Sequence, residues 1–124
     1  MRVIEVGCGP GAATREVATR VGATGYVLAI DRSAKAIETL TRASAGDKNA
    51  APILTMCVDV ADFVLPPVEE RFDLAFAVRV GVLDGRHPAG RDLAVARIRA
   101  ALTPSGRLFV DGGNPLREIE LEPS

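Results

Sequence analysis

Short apolar runs alternate with stretches of helical periodicity along the whole chain. Arg2–Val6 is an apolar run that stops at Gly7-Cys8-Gly9-Pro10-Gly11, and it predicts a buried strand. Ala12–Val21 places Ala13, Val17 and Val21 at i, i+4 spacing and predicts a helix, with Gly22 as its stop. Tyr26–Ile30, closed by Asp31, predicts a second strand. Ser33 is placed to cap a second helix, in which Ala36, Leu40 and Ala43 share a face with Ile37 at its edge and Gly46 follows the end. Ile53–Val58 predicts a third strand, and Ala61–Arg71, which holds Pro66-Pro67, is too broken for a regular helix. Phe72–Val78 predicts a fourth strand and Arg91–Leu102 a helix with Val95, Ile98 and Leu102 inward. Thr103-Pro104-Ser105-Gly106 then turns into a fifth strand, Arg107–Asp111. Glu118–Glu122 alternates with period two, as an edge strand does. Strands that read as continuous apolar runs, separated by helices, predict an α/β fold with a mostly parallel sheet covered on both faces.

Composition narrows the class. The 124 residues allow one domain, and the 48% of apolar residues suffice for a core. A formal charge of −1, without a long run of one sign, gives no electrostatic footprint for nucleic acid. No charged-then-apolar leader opens the chain, and no apolar run approaches the roughly 18 residues of a membrane span. Cys8 and Cys57 make no disulfide framework, so the expected setting is the cytoplasm with both thiols reduced. One histidine and two distant cysteines make no metal ligand set.

The glycine loop carries the chemistry. A strand that ends in glycines and opens a helix lets the backbone turn sharply and lets a ligand approach without meeting a Cβ. The helix start adds free N–H groups and partial positive charge, which suit a carboxylate or a phosphate equally. Asp31 ends the second strand about twenty residues after the loop, where a carboxylate can accept hydrogen bonds from both hydroxyls of a ribose. These features leave a nicotinamide dinucleotide and S-adenosylmethionine both open, because Ala12 also permits the Gly-x-Gly-x-x-Ala form of the dinucleotide fingerprint.

The flanking residues point further. Val3-Ile4-Glu5-Val6-Gly7-Cys8-Gly9-Pro10-Gly11 closely resembles motif I of class I S-adenosylmethionine-dependent methyltransferases, an apolar strand and an acid followed by Gly-x-Gly-x-Gly. Asp31 matches that family's ribose-holding acid. Asp59, in Cys57-Val58-Asp59-Val60-Ala61, matches the acid it uses near the adenine amino group. Phe72–Ala77 looks like its fourth strand, and Leu102-Thr103-Pro104-Ser105-Gly106-Arg107-Leu108-Phe109-Val110 like its turn into the fifth, with Ser105 where a second glycine is commoner. The resemblance covers nearly the whole chain. It implies a Rossmann-like doubly wound sheet with about five parallel strands in order 3-2-1-4-5, and S-adenosylmethionine as cofactor. The cofactor residues it implies are Glu5, Gly7, Cys8, Gly9, Gly11, Asp31, Arg32, Asp59, Val60 and Ala77. In that order the second strand separates Cys8 from Cys57 by two strand spacings, about 10 Å, beyond the roughly 7 Å that a disulfide spans between Cα atoms.

The chain also departs from the family. The helix usual before the first strand has no counterpart, since that strand starts at residue 2. The usual terminal hairpin is missing or reduced to one short strand, which makes residues 1–124 a single, trimmed core domain. The implied activity is methyl transfer to a small-molecule acceptor; a partial module that binds S-adenosylmethionine without turnover is the alternative, and a nicotinamide-dependent oxidoreductase is disfavoured by Glu5 together with Gly11. The acceptor side is expected after the fourth strand, in Arg79–Pro88, which lacks the Asn/Asp-Pro-Pro-aromatic motif of enzymes that methylate amino groups on adenine, cytosine or glutamine. His87 is the candidate base, with Asp84 and Arg79 as further candidates beside it. An edge at Arg107–Asp111 with little cover predicts either a tail folded back as Arg117–Glu122 or a homodimer through that edge, and the dimer is the favoured expectation.

Overall fold

The structure, a computed structural model, describes residues 1–44, 49–84, 89–111, 113 and 116–122, without the side chain of Asp84. The strands are β1 (Arg2–Val6), β2 (Tyr26–Asp31), β3 (Ile53–Cys57), β4 (Phe72–Ala77), β5 (Leu102–Asp111) and β6 (Leu116–Ile119). The helices are α1 (Ala12–Val21), α2 (Ala34–Ala43), the short α3 (Gly81–Asp84) and α4 (Arg91–Ala101), with a 3₁₀ turn at Val60–Asp62. One sheet runs in the order β3-β2-β1-β4-β5-β6. Its first five strands are parallel, and β6 lies antiparallel on β5 with Leu108 opposite Ile119 and Asp111 opposite Leu116.

Strand alternation gives the sheet two apolar faces. Ile4, Val6, Leu28, Ile30, Ala75, Ala77, Leu108 and Val110 pack with Ala94 and Ile98 of α4. On the other face Ala29 meets Leu40 of α2, and Val27 meets Ala18 of α1. At the N-terminal ends of the strands the Arg2 guanidinium stacks on Tyr26 and Phe72, 4.5 Å from each ring centroid, and pairs with Glu69 at 3.1 Å.

The sequence places α1 correctly but turns its face by one residue. Thr14 and Ala18 are its buried residues and Ala13 is exposed, because Thr14 is drawn inward by a buried carboxylate on β1. Ala43 of α2 is likewise exposed. Ser33 caps α2 as expected, its Oγ accepting the Ala36 N–H at 3.1 Å. Gly46 lies outside the described residues. Leu102 leaves the helix one residue early and pairs with Phe72; the pairing then skips, so that Leu74 faces Arg107. The predicted turn is thus an irregularity within β5.

The tail folds back. Ile119 is buried against the core and Leu121 packs beside it. Arg107 of β5 pairs with Glu118 of β6 at 2.7 Å, and Arg99 of α4 donates to the Glu122 carbonyl at 2.9 Å. The β5 edge on which a homodimer was expected is therefore covered by the chain itself, which removes the motive for pairing at that strand. Replacing Ile119 with alanine should cost about 2–4 kcal/mol in urea unfolding, as burial of a branched side chain implies. Glu120→Ala, at an exposed position, should stay within about 0.5 kcal/mol. Equal effects would mean that the tail does not pack on β5.

Candidate functional site

The parallel strands end together at one rim, and the glycine loop sits in its middle. Residues 7–11 have to reverse direction between β1 and α1, and their amides find acceptors on β2. Gly7 and Cys8 both donate to the Ile30 carbonyl, at 2.8 and 3.2 Å. Gly9 donates to Asp31 Oδ2 at 2.9 Å. The other oxygen, Asp31 Oδ1, accepts the Ser33 N–H at 2.8 Å. Asp31 thus joins the loop to the start of α2, a role beyond the ribose contact that the resemblance implies.

The glycines differ in what demands them. Gly11 has φ 93°, and a Cβ there would come within 2.3 Å of Leu40, so helix packing excludes a side chain. Gly7, at φ 75°, is overlain by Val80, whose Cγ2 would lie 2.7 Å from such a Cβ. At Gly9 a Cβ would meet nothing within 4 Å. The space above Gly9 is open, and the loop offers it to solvent or ligand.

Beneath the loop lie two buried groups. Glu5 is 3% exposed and accepts a hydrogen bond from the fully buried Thr14 hydroxyl. Burial pushes its carboxyl up to about 7, against the lowering effect of Thr14, and Asp31 adds to the rise. Cys8 is buried, its Sγ 3.5 Å from the Gly9 carbonyl, and its thiol is pushed up to about 12, first by burial and then by Asp31 and Glu5. It is a neutral packing group rather than a nucleophile. Cys57 is exposed, and both cysteines are free.

The remaining predicted residues lie along the same rim. Arg32 follows Asp31 and is exposed, its carbonyl 3.6 Å from Cys57 Sγ. Asp59 Oδ1 accepts the Ala61 N–H at 3.0 Å and caps the 3₁₀ turn, in which Val60 is buried. Ala77, the last residue of β4, is buried, and its register partners are Val6 and Val110. Arg79 is exposed, two residues beyond β4, with a left-handed φ of 61°. Asp84 ends α3. His87 lies outside the described residues. The sequence reading missed Thr14, whose signal was a polar residue in the buried i, i+4 line with Ala18. It also missed Asp111, which ends β5 and accepts the Arg79 N–H at 3.2 Å. No group of three or more His, Cys, Asp or Glu among the described residues could hold a metal. No described helix is long and apolar enough to cross a membrane. A groove of about 680 Å³ between α1, the end of α2 and β3 is lined by Arg15, Glu16 and Thr55 among others. It touches Ala12 but not the glycines, so its size does not make it the chemical centre.

Known proteins share this arrangement. Residues 3–106 match the family described as methyltransferase domain. A Saccharolobus solfataricus protein named "probable cobalt-precorrin-6B C(15)-methyltransferase (decarboxylating)" is 35% identical over 75 residues, which are 60% of this chain and 37% of that protein. An S-adenosylmethionine-dependent methyltransferase of Methanosarcina mazei superposes with a TM-score of 0.72 at 18% identity, over 88% of this chain and 50% of that one. Coclaurine N-methyltransferase, bound to N-methylheliamine and SAH, gives a TM-score of 0.71 at 21% identity, over 88% of this chain and 30% of its own. At such identities the structural likeness is one of fold, and the chain spans half or less of the length of each of these proteins. With the family match running from β1 into β5 and the strand order that of the sheet above, the chain belongs to the methyltransferase-domain family and has the Rossmann-like fold of class I S-adenosylmethionine-dependent methyltransferases.

Proposed function

We propose that residues 1–124 act as a single cofactor-binding core domain that transfers a methyl group from S-adenosylmethionine to a small-molecule acceptor. The observation that carries this reading is the open space over Gly9, in a loop anchored by Asp31 and underlain by Glu5. The residues fit the cofactor. Glycine at 9 leaves the loop backbone bare, glycine at 7 and 11 lets Val80 and Leu40 pack against it, Cys8 fills the space beneath it, and Asp31, joined by Glu5 when it ionises, puts negative charge near a ligand whose sulfonium and ammonium are positive. Asp59, Val60 and Ala77 border the same rim from β3 and β4, and Arg32 adjoins Asp31.

When bound, S-adenosylmethionine supplies an activated methyl group and its own leaving group. The chain's residues have the remaining tasks of binding, orienting and excluding water. Asp31 keeps the loop against β2 and has lone pairs left for hydroxyl donors. Arg79 and Asp84 stand on the segment that follows β4, on the acceptor side. A base is required only for an acceptor that must lose a proton, and His87 is the residue proposed for it. The two free cysteines suit a reducing compartment such as the cytoplasm. With the β5 edge covered, a homodimer would form through the C-terminal tail; sedimentation velocity at tens of micromolar should then give a dimer that a chain ending at Gly113 loses.

The direct test is calorimetric titration with S-adenosylhomocysteine, S-adenosylmethionine and NAD, followed by a methyl-transfer assay over a metabolite panel. Binding of the first two and not of NAD is expected; binding of NAD alone would overturn the reading, and binding without turnover across the panel would leave a binding module. Gly9→Ala should weaken S-adenosylhomocysteine binding about tenfold or more while costing only about 1–2 kcal/mol of stability, since its side chain enters the ligand's space. Gly11→Ala should destabilise by about 1–3 kcal/mol beyond that strain, because Leu40 is in the way.

Glu5 adds a pH dependence. Its folded-state value of about 7 lies above the 4.5 of an ordinary glutamate. The folded protein therefore holds a proton that the unfolded chain releases between those values, so this stability is present below the lower one and lost as pH rises through the upper. Without ligand, wild-type stability should fall between pH 5 and pH 8 by on the order of 2–3 kcal/mol relative to Glu5→Gln. Parallel urea curves for the two proteins would mean that Glu5 is not buried as described.

A further inference from the structure

Among the described residues, Arg79 is the one non-glycine residue with a left-handed backbone, at φ 61°. Side chains resist that conformation because Cβ crowds the neighbouring carbonyl, so a persistent case implies that its surroundings hold it. The holder is Asp111, the last residue of β5, whose Oδ2 accepts the Arg79 N–H at 3.2 Å. The other oxygen, Oδ1, is enclosed and has no hydrogen-bond partner among the described residues. The Arg79 amide is therefore the contact that this carboxylate is oriented to make.

The turn at Arg79 fixes the next residue. Val80 sits over the first glycine of the loop so closely that a Cβ on Gly7 would lie 2.7 Å from its Cγ2. The Val80 carbonyl accepts the Leu83 N–H at 2.9 Å, and Leu83 is fully buried, so Val80 is anchored on its far side too. Gly7 in turn donates to Ile30 and opens the loop. A continuous line of contacts runs from Asp111 through Arg79 and Val80 to Gly7. β4 lies between β1 and β5, so Asp111 stands two strand spacings, roughly 10 Å, from the loop.

We propose that Asp111 is a positioning residue for the cofactor loop: by holding Arg79 in the left-handed conformation it seats Val80 against Gly7. This rests on the reading of the loop as the S-adenosylmethionine site. A carboxylate that merely closed the end of β4 would alter stability and leave ligand affinity alone; a positioning carboxylate alters affinity, and anything else that settles Arg79 in the same conformation repairs the loss.

The experiment titrates S-adenosylhomocysteine into wild type, Asp111→Ala, Asp111→Asn, Val80→Ala and the double variant Asp111→Ala/Arg79→Gly, with a urea curve for each. Asp111→Ala should weaken binding roughly tenfold or more, the scale of a lost hydrogen bond to a charged group. Asp111→Asn should keep most of the affinity, because its amide oxygen accepts the same N–H. Arg79→Gly should recover affinity in the alanine background, because glycine adopts the left-handed conformation unaided. Should Asp111→Ala fail to fold, Val80→Ala carries the test, and it should weaken binding about threefold by removing the methyls over Gly7. Unchanged affinity in a folded Asp111→Ala, a loss that neither asparagine nor glycine relieves, or unchanged affinity in Val80→Ala beside an unfolded Asp111→Ala would overturn the proposal. Wild type that binds no S-adenosylhomocysteine overturns the cofactor reading and this inference together, whereas tight binding unaffected at Asp111 overturns this inference alone.

Discussion

A backbone that reverses direction in five residues exposes amides faster than it can pair them with each other, and this is the constraint on which the rim of the sheet depends. The loop meets it by leaning on β2. The Ile30 carbonyl takes two amides and Asp31 takes a third. Because these acceptors are consecutive residues, the loop, the end of β2 and the start of α2 form one hydrogen-bonded unit, with Asp31 Oδ1 reaching Ser33. Packing closes the same unit from the side, since Leu40 of α2 fills the space that a side chain on Gly11 would need. The loop is thus held by acceptors and excluded volume, and its bareness at Gly9 is what those restraints leave free.

The parallel core was legible in the sequence because its central strands β1 and β2 are buried on both faces and read as almost continuous apolar runs. The loop and Asp31 were legible because glycine at a strand-to-helix junction has few other uses. Other features were not readable, for physical reasons. The face of α1 follows Thr14, a polar residue that periodicity counts against burial, and only its carboxylate partner on β1 makes that burial favourable. The start of β5 was hidden because Leu102 serves the helix pattern and pairs with Phe72 at once. The tail carried the right alternation, but whether Ile119 would meet its own core or another copy is decided by a turn of few residues and not by the pattern. Asp111 gave no signal, since its partner is a backbone amide that exists in that position only once β4 and β5 lie side by side.

The electrostatics of the loop bear on which ligand it suits. A helix start preceded by glycines attracts anions in general. Here that preference is opposed from below and beside. Asp31 borders the loop, Glu5 lies under it, and Cys8 adds no charge of its own because its thiol stays protonated. Among the described residues no cation pairs with either carboxylate. Like charges repel more strongly at the effective dielectric of a protein surface than in water, so carboxylates at the loop oppose a pyrophosphate. A ligand with positive charge reverses the sign of each term: it relieves the repulsion between Asp31 and Glu5 and favours ionisation of Glu5, whose carboxyl burial and then Asp31 push up. The glycines and Asp31 make room for many ribose-bearing ligands; Glu5, buried under the loop, is what favours a sulfonium-bearing amino acid over a dinucleotide.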